Sequence, residues 1–245
     1  MTRLEVVQDP AALATAAAER VAAIAEAAVA ERGRFTLALS GGSTPRALFE
    51  TLAAPPWRDR LPWARFEVAW VDERDVPIDH PDSNAGMAYR AWLEHVPIPR
   101  DQIHPVPTRP GPPAAAARAY ETTLRGLFPD EPWPRFDLAL LGVGEDGHTA
   151  SLFPGSPALD EAASWVVAPW VPHLDAYRFS LSLPAIAHAR RLIGLVAGET
   201  KAPVMREVLE GLSGAPLPAR RVAEAHGHAE WLLDAAAASA LSGLE

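Results

Sequence analysis

Residues 34–52 have the sequence RFTLALSGGSTPRALFETL, in which an apolar run passes through a short turn into a stretch suited to a helix. We predict a strand over residues 34–40, a turn over residues 41–44 and a helix that begins at Pro45. Adjacent glycines let the backbone turn sharply, and proline suits the first turn of a helix. This strand–turn–helix unit is typical of an α/β fold.

Apolar runs alternate with helical stretches on both sides of this unit. An alanine-rich helix is predicted over residues 10–32, ending at Gly33. The run FDLALL at 136–141 is nearly continuous in apolar residues, as in a strand buried on both faces. The other predicted elements are strands at 66–72, 164–168, 177–183 and 191–197, and helices near 82–94 and at 114–127, 200–211 and 228–240.

This alternation predicts one α/β domain over residues 1–245, built on a mainly parallel sheet. The proline-rich stretch 97–113 is interpreted as an irregular excursion, because strand–helix alternation resumes directly after it. In such sheets ligands bind beyond the carboxyl ends of the strands. Three unusual loops follow predicted strands directly, so we expect them to meet at one edge of the sheet.

The composition excludes several classes of function. The 245 residues include no cysteine, which excludes disulfides, thiolate nucleophiles and cysteine-ligated metals. The net charge of −9 argues against a surface for nucleic acids or anionic membranes. No segment approaches the ~18 apolar residues of a membrane span, and the N-terminal residues lack the apolar stretch of a signal peptide. We therefore expect a cytoplasmic protein.

The first loop is Ser40-Gly41-Gly42-Ser43-Thr44. Its glycines allow close approach of the backbone to a ligand, and the free N–H groups of a helix N-terminus bind anions. Ser43 or Thr44 is expected to cap the helix, and the hydroxyls add donors. A phosphate monoester fits such a loop, although a tight turn with a good cap explains the same residues. The lysine-containing P-loop pattern is absent.

The second loop begins with Asp72-Glu73-Arg74-Asp75 at the end of a predicted strand. An acid such as Asp72 at a strand end can hold a water molecule or orient a histidine. Arg74 can form paired hydrogen bonds to phosphate oxygens. The same residues also fit a solvated run of charges followed by a helix cap at residue 82 or 83.

The third loop, GVGEDGHTAS at 142–151, contains a formal G-x-G-x-x-G pattern. A dinucleotide site is rejected, because that site needs a second strand ending in an acid ~20 residues on. Here Asp160 and Glu161 precede the next predicted strand, and the acids at 145 and 146 would face a pyrophosphate. The glycines are better suited to holding His148 at a bend, although a histidine in an ordinary glycine-rich turn is the alternative.

Two cations stand later in the chain beside apolar strands, Arg178 and Lys201. Both fit exposed surface cations, but Lys201 near a helix N-terminus opposes the helix dipole, which hints at a compensating anion. His226 and His228 beside Glu224 are interpreted as a surface turn, since no further ligands follow. No metal site is predicted.

Four segments together resemble the 6-phosphogluconolactonases: LALSGGSTPRALFETL (37–52), VDERDVPIDHPDSNAGMAYRAWL (71–93), FDLALLGVGEDGHTASLFPGSPAL (136–159) and LVAGETKAPVMREVLEG (195–211). The third is the most specific, because G-x-G-x-(D/E)-G-H-T-A-S-L-F-P is a strong signature. The glucosamine-6-phosphate deaminases share the first loop and a D-G-H element, but theirs usually leads into N-E-P. The continuation T-A-S-L-F-P therefore favours the lactonases.

The resemblance implies a Rossmann-like mainly parallel sheet with helices on both faces, similar to the deaminase fold. It implies hydrolysis of 6-phospho-D-glucono-1,5-lactone to 6-phospho-D-gluconate, the second step of the oxidative pentose phosphate pathway, without metal or cofactor. The partner would be this phosphorylated sugar lactone, with no nucleic acid or membrane. The residues that it places around the phosphate are Ser40, Gly41, Gly42, Ser43, Thr44, Arg74, Arg178 and Lys201.

The resemblance also implies that His148 carries the chemistry. Water needs a base in order to attack a lactone carbonyl at neutral pH, and histidine titrates in the right range. Asp72 and Asp146 are assigned as supports, because an unshifted carboxylate is too weak a base. Which acid orients the ring is left open among Asp72, Glu145 and Asp146.

Two other functions compete with lactone hydrolysis. One is an isomerase or deaminase acting on an amino sugar phosphate, and the other is a sugar-phosphate-binding regulatory domain without catalysis. A regulator usually carries a DNA-binding segment, and no basic helix-turn-helix precedes this domain. The presence of His148 together with both acids favours an enzyme.

Overall fold

A computed structural model describes residues 3–108, 111–211 and 216–243, and its centre is a six-stranded sheet. Every neighbouring pair of strands in this sheet is parallel. From one edge to the other, the strands are β1 (Arg3–Val7), β10 (Glu230–Asp234), β9 (Leu192–Val196), β5 (Leu138–Leu141), β2 (Phe35–Leu39) and β3 (Phe66–Trp70).

A smaller antiparallel sheet stands beside the carboxyl ends of these strands. Its central strand is β8 (Ala176–Leu181), which pairs with β4 (Asp72–Arg74), β6 (Val166–Val167) and β7 (Trp170–Val171). The chain therefore leaves the large sheet after β3 and enters the small sheet almost at once. The predicted strand at 66–72 is in fact two strands, because residue 71 separates β3 from β4.

The helices vary widely in length. The longest are α1 (Pro10–Arg32) and α5 (Pro113–Leu127), and a π-helical turn (Tyr89–Leu93) follows α4 (Asn84–Ala88). In the described ranges, no helix combines the length and the apolar character needed to cross a bilayer. The other helices are α2 (Ser43–Leu52), α3 (Trp57–Arg60), α4 (Asn84–Ala88), α6 (Leu183–Ala187), α7 (Ala202–Glu210), α8 (Pro218–His226) and α9 (Ala235–Ala238).

Helix α1 has the limits predicted from its sequence, and its ends show why. The Asp9 side chain accepts a hydrogen bond from the Ala12 amide (2.8 Å) and caps the first turn. At the other end, Gly33 has a φ of +77° and donates its amide to the Val29 carbonyl. Both signals are local, which is why the sequence alone was sufficient to predict them.

The helix predicted at 228–240 is wrong. Residues Glu230–Asp234 form β10, which pairs with β1 on one side and β9 on the other, and only Ala235–Ala238 are helical. Trp231, Leu232 and Leu233 are buried. Their burial between two strands outweighs the helical preference of the following alanines. Strand β1 and helix α8 were not predicted, and residues 109 and 110 of the proline-rich stretch lie outside the described residues.

The order of the strands determines where a ligand can bind. After β2 the chain passes to β3 on one side and later returns to β5 on the other side of β2. The strand order therefore reverses between β2 and β5. A crevice opens at such a reversal, beyond the carboxyl ends of the strands, and the first and third loops begin there.

Candidate active site

A cavity of about 680 Å³ lies where the three loops meet. The structure thus brings together segments that are far apart in the sequence. The predicted site residues that line the cavity are Ser40, Gly41, Gly42, Asp72, Arg74, Asp146, His148, Arg178 and Lys201. Ser43 and Thr44 lie in the first turn of α2 and do not line it.

The first loop presents donors to the cavity. The Ser40 side chain is buried, and its hydroxyl has no hydrogen-bond partner in the described structure. Helix α2 starts after Gly42, which has a φ of +106°, and no side chain caps it. The expectation that Ser43 or Thr44 caps this helix is therefore wrong. The helix already begins at Ser43, so Gly42 occupies the cap position. An uncapped helix N-terminus beside a free hydroxyl suits an anion.

His148 and Asp146 form a hydrogen-bonded pair in the third loop. The distance from His148 Nδ1 to Asp146 Oδ1 is 2.6 Å, and the same carboxylate oxygen accepts the His148 amide at 3.1 Å. Partial burial alone would raise the pKa of Asp146, but the hydrogen bonds and the charge of His148 outweigh it and lower that pKa. An ionised carboxylate only accepts hydrogen bonds, so Nδ1 carries the proton and Nε2 stays available as a base.

Gly144 makes room for this pair. A Cβ atom at this position would lie 2.1 Å from His148 Nδ1 and 2.7 Å from Asp146 Oδ1. The Gly144 amide also donates to the His148 carbonyl at 2.8 Å, which closes the loop. The glycine is thus required by close approach of the two side chains that form the pair.

The substitution Gly144→Ala is therefore expected to displace His148 from Asp146. We expect kcat for the lactone hydrolysis that the resemblance implies to fall by roughly 10- to 100-fold, the scale of loss for a misplaced catalytic group. Thermal stability is expected to change little. Gly126→Ala is the matched control, because a Cβ atom at Gly126 on α5 meets no atom within 4 Å. Equal kcat values for Gly144→Ala and the unmodified protein would contradict this interpretation.

Asp72 lies deeper in the site and does not orient His148 through a hydrogen bond. Its Oδ2 accepts from the Ser151 hydroxyl at 2.9 Å. Burial raises the pKa of Asp72, although the nearby charges of Arg74, His148 and Arg178 act in the opposite direction. Of the acids left open from the sequence, Asp146 is thus the one that contacts the imidazole.

A tight turn delivers Ser151 to Asp72. Residue Ala150 has a φ of +49°, which is unusual for a residue other than glycine. Leu152 donates its amide to the Thr149 carbonyl at 2.9 Å, and the Thr149 hydroxyl donates to the Gly142 carbonyl at 2.8 Å. These bonds hold the strained residue in place, as is common in functional sites.

Glu73 was not singled out from the sequence, where it fitted a solvated run of charges. It is buried, and its carboxylate accepts the amides of Asn84 and Ala85, both at 2.7 Å, and of Arg74 at 2.8 Å. The Ser83 hydroxyl also donates to it at 3.1 Å. Glu73 therefore fixes the second loop beside the cavity.

Asn84 is a second residue that the sequence did not mark. It lines the cavity, and its Nδ2 donates to the Asp72 carbonyl at 3.0 Å. Its Oδ1 lies so close to Gly41 that a Cβ atom there would approach to 1.7 Å. Asn84 therefore joins the first and second loops, and Gly41 is needed for that contact.

Positive charge is concentrated on one part of the cavity. Arg74 on β4 and Arg178 on β8 are directly opposite each other in the antiparallel pairing. Burial and the charge of Arg74 lower the pKa of Arg178. Arg74 Nη1 donates to the Asp82 carbonyl at 2.6 Å, but its buried Nε has no partner in the described structure. Like charges opposite each other are unfavourable, so this arrangement suits a bound anion.

Lys201 adds a third positive charge to the lining. It ends a 3₁₀ turn (Glu199–Lys201) that leads from β9 into α7. Across residues 3–108, 111–211 and 216–243, no His, Asp and Glu side chains cluster in a way suited to a metal ion. The lining of the cavity thus contains these three cations, three acids (Asp72, Glu145 and Asp146) and the His148–Asp146 pair.

A family model described as glucosamine-6-phosphate isomerases/6-phosphogluconolactonase matches residues 8–231. The chain belongs to this family. The resemblance of the four sequence segments is therefore confirmed, and so is the α/β fold with a mainly parallel sheet.

Individual relatives cover nearly the whole chain. The 6-phosphogluconolactonase of Nostoc sp. is 40% identical over 242 residues, which is 98% of each protein. That of Synechocystis sp. is 44% identical over 210 residues, covering 84% of this chain and 85% of the relative. The solved structure of 6-phosphogluconolactonase from Trypanosoma brucei is 30% identical, superposes with a TM-score of 0.89 and covers 99% of both chains.

Proposed function

We propose that this protein is an enzyme that hydrolyses 6-phospho-D-glucono-1,5-lactone to 6-phospho-D-gluconate, the second step of the oxidative pentose phosphate pathway. The observation that carries the proposal is the His148–Asp146 pair in a cavity that also contains three cations. Relatives over nearly the full length of the chain bear the name 6-phosphogluconolactonase.

His148 acts as the general base. Its Nε2 takes a proton from water as the oxygen attacks the lactone carbonyl, and Asp146 stabilises the imidazolium that forms. The same imidazolium then returns the proton to the ring oxygen, which leaves as an alcohol. Atoms and protons balance without a further reactant, because the water supplies both the hydroxyl group and the proton.

The phosphate of the substrate binds among Arg74, Arg178 and Lys201, beside the first loop. The free Nε of Arg74 and the free hydroxyl of Ser40 supply buried donors. Ser43 and Thr44 contribute through the first turn of α2, whose N-terminus favours negative charge. These three cations offset the acids that line the same cavity, Asp72, Glu145 and Asp146, in a chain with a net charge of −9.

Asp72 supports the reaction without acting as the base. The Ser151 hydroxyl donates a hydrogen bond to Asp72, and the charge of Asp72 offsets part of the positive charge of Arg74 and Arg178.

Backbone amides of the glycine-rich loops are suited to stabilise the carbonyl oxygen as it gains negative charge. A catalytic pair of this kind is not needed by a domain that only binds sugar phosphates.

We propose that the reaction takes place in the cytoplasm and requires no metal or cofactor. The test offers the purified protein 6-phosphogluconolactone and, separately, glucosamine 6-phosphate, with product assays and subtraction of the spontaneous hydrolysis of the lactone. We expect turnover of the lactone alone and no loss of rate after exhaustive treatment with EDTA. Turnover of the amino sugar alone would favour a deaminase, turnover of neither would favour a binding domain, and rescue by a divalent ion after EDTA would establish a metal requirement.

A further inference from the structure

An aromatic contact lies against the histidine of the site. The ring of Phe153 is 4.4 Å from the His148 ring, centroid to centroid, with an angle of 34° between their planes. His173, from the 3₁₀ turn that precedes β8, packs against Phe153 at 5.3 Å and 74°. Phe153 is almost completely buried although it lines the cavity.

The chain holds Phe153 in place from both directions. On its N-terminal side is the turn at 149–152, closed by the Leu152 amide. On its C-terminal side, the Ser156 amide donates to the Phe153 carbonyl at 3.1 Å. Hydrogen bonds therefore hold the backbone on both sides of Phe153, and the imidazole of His148 packs against its ring.

An aromatic face attracts a cation placed within about 6 Å of its centre. His148 is neutral before it takes a proton and positive afterwards, so the contact favours the protonated ring. The carboxylate of Asp146 acts on the edge of the imidazole, whereas Phe153 acts on its face. The two contacts together fix the position and the plane of the ring.

We propose that Phe153 is a positioning residue for His148, which orients the imidazole and stabilises its protonated form through the aromatic face. The catalytic part of this inference rests on the proposed function. The effect on the charge of the ring does not, because it exists in the protein without substrate. Titration of His148 therefore tests the contact independently of the reaction.

Other charged groups also act on His148. Asp146 contacts it directly, and the effect of Phe153 must be separated from all of them. The remaining charged or titratable side chains that line the cavity are Asp72, Arg74, Glu145, His173, Arg178 and Lys201. Substitution at residue 153 removes none of these groups, and the titration of His173, which also packs against Phe153, is followed in the same spectra. A change in the titration of His148 then reports on the ring at 153.

The experiment follows the His148 imidazole by NMR in protein labelled at histidine, with the signal assigned through His148→Asn. Phe153→Leu keeps an apolar side chain but removes the aromatic face. We expect the titration midpoint to fall by about 0.4 to 1.5 pH units and kcat on the lactone to fall by about 2- to 30-fold. Phe153→Trp, which keeps an aromatic face, is expected to retain the midpoint of the unmodified protein.

Phe128→Leu is the matched control. Phe128 packs edge-to-face on Phe136 at 4.9 Å, outside the cavity lining, so its loss removes an aromatic pair of similar burial. An unchanged His148 midpoint in Phe153→Leu, or an equal change in Phe128→Leu, would overturn the inference. If Phe153→Leu does not fold, Phe153→Met makes the same comparison. Absence of lactone turnover in the unmodified protein would refute the proposed function but leave the titration result intact.

Discussion

Replacement of His148 by asparagine is expected to lower kcat for lactone hydrolysis by about 10²- to 10⁴-fold, the range for losing general acid–base catalysis. Asparagine cannot take a proton from water at neutral pH, but its amide can still donate to Asp146 in place of Nδ1. The fold and the affinity for phosphate are expected to remain, since His148 does not belong to the cationic cluster. The measurement is steady-state hydrolysis, corrected for the spontaneous rate.

His95→Asn is the control for this substitution. His95 is exposed, contacts the Arg90 carbonyl at 2.9 Å and does not line the cavity. The kcat of His95→Asn should match that of the unmodified protein. A near-normal kcat in His148→Asn would show that the base is a carboxylate, with Asp72 as the first candidate.

Replacement of Arg74 by alanine is expected to raise KM by about 10- to 150-fold with a much smaller change in kcat. This rise in KM corresponds to a loss of about 1.5–3 kcal/mol of binding free energy, the contribution of a hydrogen bond to a charged group. The phosphate is remote from the reacting carbonyl, so its binding is shared by the ground state and the transition state. Inorganic phosphate, as a competitive inhibitor, should weaken by a similar factor.

Two further variants make this result specific. Arg74→Lys retains the charge but loses the planar pair of donors, so we expect an intermediate KM. Arg46→Ala removes an exposed arginine of α2 that pairs with Glu50 at 2.8 Å, and its KM should be unchanged. If KM were unaffected in Arg74→Ala, Arg74 would not bind the phosphate.

The fold class and most elements could be predicted because their signals are local. Helix α1 begins at an aspartate cap and ends at a glycine, and β5 lies within a run of apolar residues. The strand-then-loop order of the three unusual segments was sufficient to place them at one edge of a parallel sheet. The cavity lies at that edge.

The C-terminal region shows where local signals fail. Residues Glu230–Asp234 precede a run of alanines and fit the start of a helix by composition. They form a strand because β1 and β9 supply hydrogen-bonding partners on both sides. Such partners come from distant parts of the chain, so no local pattern reveals them.

The residues of the site also fall into those that local sequence could predict and those that only the tertiary structure placed. That His148 lies at a glycine-rich bend after a strand, beside acids, follows from the order of residues in the third loop. That Asp146 rather than Asp72 or Glu145 contacts its ring depends on side-chain directions within the turn. Glycine leaves many backbone conformations open, so only the packed structure selects one of these acids.

From the amino-acid order alone, the α/β class, the family resemblance and the histidine at its bend could be inferred, because each depends on neighbouring residues. The tertiary structure decided that Arg74 faces Arg178, that Glu73 of the second loop is buried, and that Phe153 packs against His148. These contacts join segments far apart in the chain or depend on the exact path of a turn. Their geometry is set by strand register and close packing, which no local pattern of residues encodes.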